Sequence, residues 1–351
     1  MFSKRIAILF IPYHHIGGAE RVHLEIIKSL KFKPFVLFDR TDGSVLSDEF
    51  KHHAFCFFVT NSNRKNYVIK GLRLLSYLKP LTLFGCNSPF FYQVIQQIKK
   101  NVKTIDLTHA FSYADNGIEI ISLPYVHLLT HRVVINNKTL QDYKDLYEKN
   151  GLESHLLKRI SVIPNGVSIG AFHEELIFSR FNTFTIGFIG RNSEEKRPKL
   201  FFEIVKHSSH QIKVIGDHFG GFKKSYPKVS YLENCNDPKK VRSEFSKISV
   251  LIVPSIREGF PLVIMEAMEL GIPVISTNVG SINEHVINDY NGYIAQDNSE
   301  HAFLNFAQDK ILQLSEDMEL YSKLAHNARA YAVSHFGLEA FKEKYNRLFY
   351  D

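Results

Sequence analysis

Residues 249–295, SVLIVPSIREGFPLVIMEAMELGIPVISTNVGSINEHVINDYNGYIA, decide the fold. The apolar run at 250–254 predicts a buried strand. Glu258, Gly259, Phe260 and Pro261 predict a turn, residues 262–270 an apolar helix and residues 273–277 a second strand. In a parallel sheet the strand-to-helix turn lies at the carboxyl edge, where ligands bind. Here that turn carries Glu258 while the helix carries Glu266, so two acids eight apart are candidates for one site. A helix headed by Gly-Phe-Pro also offers unpaired backbone N–H groups at a positive helix end, which suits an anion such as phosphate.

Working outward, 351 residues is long for one core and predicts about two domains. With 44% hydrophobic and 23% charged residues the chain has the composition of an ordinary globular protein. No apolar run approaches the ~20 residues needed to span a bilayer. The first twelve residues, MFSKRIAILFIP, are better read as a first strand than as a secretory segment, so the expected location is the cytoplasm. Cys56, Cys86 and Cys235 have no framework or zinc spacing, and neither His-Glu-x-x-His nor Asp-x-Asp occurs. No metal is expected, and any phosphate charge falls to Lys and Arg. The net charge of +7 is one-sided: residues 1–165 hold 22 Lys and Arg against 13 Asp and Glu, residues 166–351 hold 21 against 23. A basic half attracts polyanions, either nucleic acid or an anionic membrane. With no helix-turn-helix, zinc finger or aromatic RNA-binding motif, no nucleic-acid partner is expected, and an anionic membrane surface is.

In the first half, residues 4–12 predict a strand. Gly17 and Gly18 then precede a helix to about residue 30, where glycines allow close backbone approach to a ligand or simply a tight turn. Strands follow at 34–39 and 54–60. Residues 63–79 predict a helix with Tyr67, Val68, Leu72, Leu74, Leu75 and Leu78 on one arc and Lys65, Lys70 and Arg73 opposite. Such a helix covers a sheet or lies on anionic lipid. A strand at 81–85, a helix at 89–100 with exposed Phe90, Phe91 and Tyr92, and a strand at 103–107 come next. His109 stands at the carboxyl end of that last strand. His14 and His15, beside the glycines, are the alternatives to it.

In the second half, residues 168–183 read as an irregular linker, 184–190 as a strand, and 199–206 as a helix. The loop between them carries Arg191 and Lys196, two cations that could stabilise charge growing on a departing diphosphate. Strands at 213–217 and 229–232 end in loops carrying Gly216 and the pair Glu233 and Asn234. Three helices are predicted over 299–314, 316–335 and 337–350.

These motifs resemble the retaining glycosyltransferases of family 4. Glu258-Gly259-Phe260-Pro261 with Glu266-Ala267 matches the family's Glu-x7-Glu, Gly17-Gly18-Ala19-Glu20-Arg21-Val22 its first loop, and Pro164-Asn165-Gly166-Val167 its crossover, with Ser168 where the family has Asp. The resemblance implies the α/β GT-B fold, two Rossmann-like domains facing a cleft. The implied division is an acceptor-side domain at 1–167, a linker at 168–183 and a nucleotide-sugar domain at 184–336, with the helix at 337–351 packing back on the first domain. It implies retaining transfer of a hexose-type sugar from a UDP or GDP sugar to a glycan or lipid-linked acceptor. Arg191 and Lys196 would hold the diphosphate and Glu266 the ribose. Glu258 and the segment Gly259, Phe260, Pro261 and Leu262 would hold the sugar, with His109 a further contact. Gly17, Gly18, Gly216, Glu233 and Asn234 complete the donor set. Two other activities suit the same motifs: nucleotide-sugar epimerisation, and nucleotide-sugar binding by a non-catalytic membrane scaffold.

Overall fold

The computed structural model describes residues 5–14, 17–40, 48–98, 102–233, 235 and 237–351; Asn234 and His15 lie outside them. The chain divides into two units, one of residues 1–165 with 339–351 and one of residues 166–338.

The first unit is a seven-stranded parallel sheet. Its strands are β1 (Ile6–Ile11), β2 (Phe35–Phe38), β3 (Phe55–Phe58), β4 (Leu81–Cys86), β5 (Val102–Thr108), β6 (His131–Val134) and β7 (Ile160–Val162). They lie in the order β3-β2-β1-β4-β5-β6-β7, so the winding reverses between β1 and β4. β4 is buried at every position, as a strand covered on both faces must be. The helix Pro89–Gln97 packs on it, and here one expectation is corrected. Phe90, Phe91 and Tyr92 are buried to 2% or less. Phe91 rests on Gly85, where a Cβ would come within 2.3 Å of the ring. Tyr92 donates to Asp106, which also pairs with the fully buried Arg132 at 2.8 Å. Arg132 reaches Tyr147 and Ser122 as well, so this buried charge pair has its hydrogen bonds filled. Burial raises the Asp106 carboxyl, and Arg132 and Tyr92 oppose that shift.

The helix Ser62–Leu78 keeps half of its predicted arc: Leu72 is buried, and Val68 and Leu75 pack against the core. Ile69, Leu72 and Ser76 are buried, whereas Tyr67, Leu74 and Leu78 are exposed. Lys65, expected on the outer face, is half-buried with its ammonium 5.2 Å from the Phe90 ring centroid. The helix Leu338–Tyr350 enters this unit through Tyr345 and Phe349, both fully buried. The Phe349 ring stacks on Phe84 at 5.5 Å and its carbonyl accepts from the Thr82 hydroxyl.

The second unit is a six-stranded parallel sheet of β8 (Thr185–Ile189), β9 (Gln211–Ile215), β10 (Ser230–Leu232), β11 (Val250–Val253), β12 (Val274–Ser276) and β13 (Gly292–Ile294). Their order is β10-β9-β8-β11-β12-β13. The expected irregular linker is corrected: residues 175–182 form the helix Glu175–Asn182. Its Ile177 is buried, and Arg180 donates to the carbonyls of Ser246, Leu270 and Gly271. A second buried group, Glu269, accepts from Gly170 N and pairs with Arg242 and Arg329. Burial raises its carboxyl, but these bonds outweigh it and the net shift is downward.

Candidate active site

β8 and β11 are neighbours in the second sheet although some sixty residues separate them, and the strand order reverses between them. The carboxyl ends of such a pair frame the crevice of a doubly wound sheet. Both predicted cation and acid loops leave from these two ends, which is why the sheet brings them together.

β8 ends at Gly190, whose N–H donates to Ile215 O at 3.0 Å. Gly216, at the end of β9 and with φ +149°, approaches so closely that a Cβ would lie 1.9 Å from Gly190 O. The loop then turns through Asn192, which donates to His218 O, and through a single turn at Glu194–Lys196. It is latched to the β11 loop by Ile256 N to Glu195 O at 2.9 Å, by the Arg257–Glu195 ion pair, and by Arg197, which donates to the Pro254 carbonyl and also to the Asn298 carbonyl beyond β13.

This latch delivers Lys196 to Glu258, and the two form an ion pair. Ser255 Oγ donates to the same oxygen, Glu258 Oε1, at 2.7 Å. Ser255 is itself placed by Thr277, whose hydroxyl donates to the Ser255 carbonyl at 2.6 Å. The turn is held from the other side by Ser281, which donates to Gly259 O through its N–H and its hydroxyl at 2.9 and 3.0 Å. Gly280 makes that approach possible: its φ is +62°, and a Cβ there would lie 2.2 Å from Glu258 O.

The helix Leu262–Glu269 begins directly after this turn with Pro261 as its cap and no capping side chain. Ile264 N donates back to Pro261 O at 3.0 Å, so the N–H groups left without an intrahelical acceptor are those of Leu262 and Val263, next to the turn that carries Glu258. Leu262 is half-buried at the helix start. Glu266 is half-buried one turn along, on the scale of 6 Å down the axis. Phe260 turns its ring into the core, 4% exposed and 4.3 Å from His285, so only its backbone can meet a ligand. Arg191 is exposed and makes no ion pair among the described residues.

Glu233 belongs to the expected donor set. Its carboxylate accepts from Phe219 N at 2.6 Å and pairs with Lys223, and the Lys223 hydrogen bond first among its contacts holds it below the usual carboxylate range. It fixes the loop after β9 in place.

Gly17, Gly18 and His109 belong to the first unit. Gly17 caps the helix Gly18–Ser29, and a Cβ on Gly18 would meet nothing within 4 Å. His14 is buried between Phe38 and Phe58. His109 has its Nε2 3.4 Å from His23 Nε2. Burial lowers His109 to about 4, and burial followed by the His109 charge holds His23 well below 6.5, so both rings are neutral near pH 7. Cys86 completes a group whose ligand-type atoms lie within 4.8 Å of one another. Burial, then Asp106 and Glu20, push the Cys86 thiol well up.

Sequence reasoning missed Ser255 and His23. Ser255 had one signal, a hydroxyl just past the end of an apolar strand. His23 had none, because it sits inside a helix and meets His109 only through the sheet.

Residues 177–331 match the family described as Glycosyl transferases group 1. An uncharacterized glycosyltransferase of Methanocaldococcus jannaschii, MJ1178, is 32% identical over 198 residues, covering 53% of this chain and 52% of that protein. The UDP-Gal:alpha-D-GlcNAc-diphosphoundecaprenol alpha-1,3-galactosyltransferase of Escherichia coli is 27% identical over 96% of this chain and 94% of its own. The chain thus spans about half the length of the first of these relatives and nearly all of the second. Among solved structures, Anabaena HepE in complex with UDP-glucose superposes with a TM-score of 0.75 at 17% identity, covering 98% of this chain and 99% of that one. At that identity the likeness is one of fold.

Two parallel-sheet Rossmann-like units, the architecture shared with HepE, give the chain the GT-B fold. The match to the glycosyl transferases group 1 covers residues 177–331, less than half of the chain.

Proposed function

We propose that the chain transfers a hexose-type sugar, with retention of configuration, from a UDP or GDP sugar to a glycan or lipid-linked acceptor in surface polysaccharide or glycolipid assembly, at an anionic membrane surface. The observation that carries this reading is the Lys196–Glu258–Ser255 cluster beside the helix start at Leu262, at the reversal between β8 and β11. An ammonium has three donors, and Glu258 occupies one. The others face an incoming diphosphate together with Arg191 and the N–H groups that open the helix.

In this reading Glu258 holds a sugar hydroxyl, Glu266 the ribose hydroxyls, and His109 is the first unit's sugar contact as a neutral imidazole. Glu258 does not attack carbon. The acceptor hydroxyl forms its bond to the anomeric carbon on the face from which the phosphate oxygen departs. That oxygen takes the hydroxyl proton as its own bond to carbon breaks. The departing charge increases along this path, so Lys196 and Arg191 stabilise the transition state more than bound donor, and no metal ion is required. The lipid-linked acceptor and the uridine nucleotide are supported by the similarity to the E. coli UDP-Gal:alpha-D-GlcNAc-diphosphoundecaprenol galactosyltransferase and by the fold shared with HepE, which was solved with UDP-glucose.

The test is a thermal-shift panel of nucleotide sugars, followed by transfer to lipid-linked acceptors with and without a chelator and assignment of the product anomer. Product with inverted configuration, or isomerised sugar from donor alone, refutes the reading.

A further inference from the structure

The sheet of the first unit is covered unevenly. Parallel sheets carry helices on both faces. In register, Ile8 pairs with Phe35 and Phe35 with Phe55, while Phe10 pairs with Leu37 and Leu37 with Phe57, so these residues share one face. Ile8, Phe10 and Leu37 are buried there against Ile69 and Leu72 of the helix Ser62–Leu78 and against Phe90 and Phe91. Phe35, Phe55 and Phe57 on the same face remain 37%, 48% and 50% exposed. The opposite face of the same edge is covered: Phe38 is buried, and Phe58 is half-buried against it and His14. The three bare rings form one group, Phe35 lying 5.3 Å from Phe55 and 6.2 Å from Phe57.

The surroundings are cationic. The Lys33 ammonium sits 5.0 Å from the Phe55 ring centroid and donates to Lys51 O. The helix that covers this face carries Arg64, Lys70 and Arg73 beside its exposed Tyr67, Leu74 and Leu78, with Lys79 at its end. From residue 50 to residue 105 the chain contains no Asp or Glu. The acids that precede this stretch are engaged elsewhere, Asp48 with Lys51 and Glu49 with Lys28.

We infer that Phe35, Phe55 and Phe57, flanked by Lys33 and the outer side of the helix Ser62–Leu78, dock the chain on an anionic lipid surface. Aromatic rings seat at the level of lipid headgroups, and lysines beside them gain from anionic lipid. A two-fold pairing of two copies through this face would set like charges against each other, which disfavours a second copy as its cover. The inference rests on the proposed membrane setting and assigns the face that meets it.

The chain has no Trp, so Phe57→Trp makes a single fluorescent reporter in the full-length protein. Phe178→Trp, an exposed position of the second unit, is the control. With phosphatidylglycerol vesicles the Phe57→Trp emission shifts to the blue and is quenched by a lipid-borne quencher, while the control does not shift. Phosphatidylcholine vesicles give neither change, and added salt reverses the response. In sedimentation, Phe55→Ser with Phe57→Ser lowers binding to anionic vesicles by about tenfold or more. That double variant keeps its thermal shift with nucleotide sugar and its turnover on a water-soluble acceptor. If wild type sediments with anionic vesicles but the double variant does so equally, the docking face is refuted and the membrane setting stands. If wild type does not sediment, both fail while donor binding and transfer are unaffected. Equal response to neutral vesicles, or a dimer that the double variant dissolves, also overturns the assignment.

Discussion

The two units share a winding but treat polar groups differently. In the second, the loops at the strand reversal are tied to each other: Glu195 to Arg257 and Ile256, Arg197 to Pro254, Ser281 to Gly259, Lys196 and Ser255 to Glu258. In the first, the strongest polar network is buried in the core at Asp106 and Arg132, and the reversal carries two neutral histidines and two glycines. The second unit invests its hydrogen bonds in a fixed loop geometry, as a site for one constant chemical group requires. The first keeps its polar network for folding and leaves its outer edge apolar and cationic.

The sharpest way to break this contrast is to remove each unit's central cation. Arg132→Ala leaves Asp106 buried without its partner and should cost about 3–5 kcal/mol in a denaturant titration, with little effect on nucleotide-sugar affinity in whatever protein remains folded. Lys196→Ala should leave the unfolding midpoint nearly unchanged and lower kcat about a hundredfold or more, with a smaller change in donor KM. Comparable losses of stability in both variants would erase the distinction. Normal turnover in Lys196→Ala would remove its role in transfer.

Glu266→Gln sharpens the contrast inside the second unit. It should weaken donor binding about tenfold, read by calorimetry with a nucleotide sugar, because one charge-assisted hydrogen bond is lost. An unchanged affinity would assign Glu266 to packing.

Smallest near neutral pH is the titration of the buried histidines. His109 and His285 are each lowered to about 4, and His23 lies well below 6.5. The unfolded chain therefore takes up protons first as pH falls below 6.5. Stability should decline from there toward pH 4, by at most about 1.4 kcal/mol per pH unit for each histidine. His109→Gln should flatten the slope. A stability profile that is level across this window would contradict the neutral pairing with His23.

Much of the second unit was legible because its site is local. Strand, turn and helix run consecutively from residue 250 to 270, and the observed helix Leu262–Glu269 differs from the predicted one by a single residue. The parallel topology then places the Lys196 loop beside Glu258. What periodicity does not contain is the identity of the neighbour. The arc of the helix Ser62–Leu78 was read by hydropathy, yet the sheet accepts the Ile69, Leu72 and Ser76 side and leaves Tyr67, Leu74 and Leu78 outside. Phe90, Phe91 and Tyr92 were read as exposed because nothing local marks Gly85 as the floor beneath Phe91. The contacts of Glu233 with Phe219 and Lys223 form only when the loop folds back, so the sequence shows neither. Residues 168–183 read as irregular because interspersed charged side chains mask the core-facing Ile177 of the helix Glu175–Asn182.

The helix Leu338–Tyr350 gives the first unit a history as well as a shape. A chain made from its amino terminus presents Phe84 and Thr82 some 265 residues before Phe349 exists to meet them. The first unit to emerge is thus the last to be completed, and until then the second can close its own sheet while the first waits with a bare flank. A released chain truncated before residue 338 should accordingly leave the first unit open to proteases that the full-length chain resists.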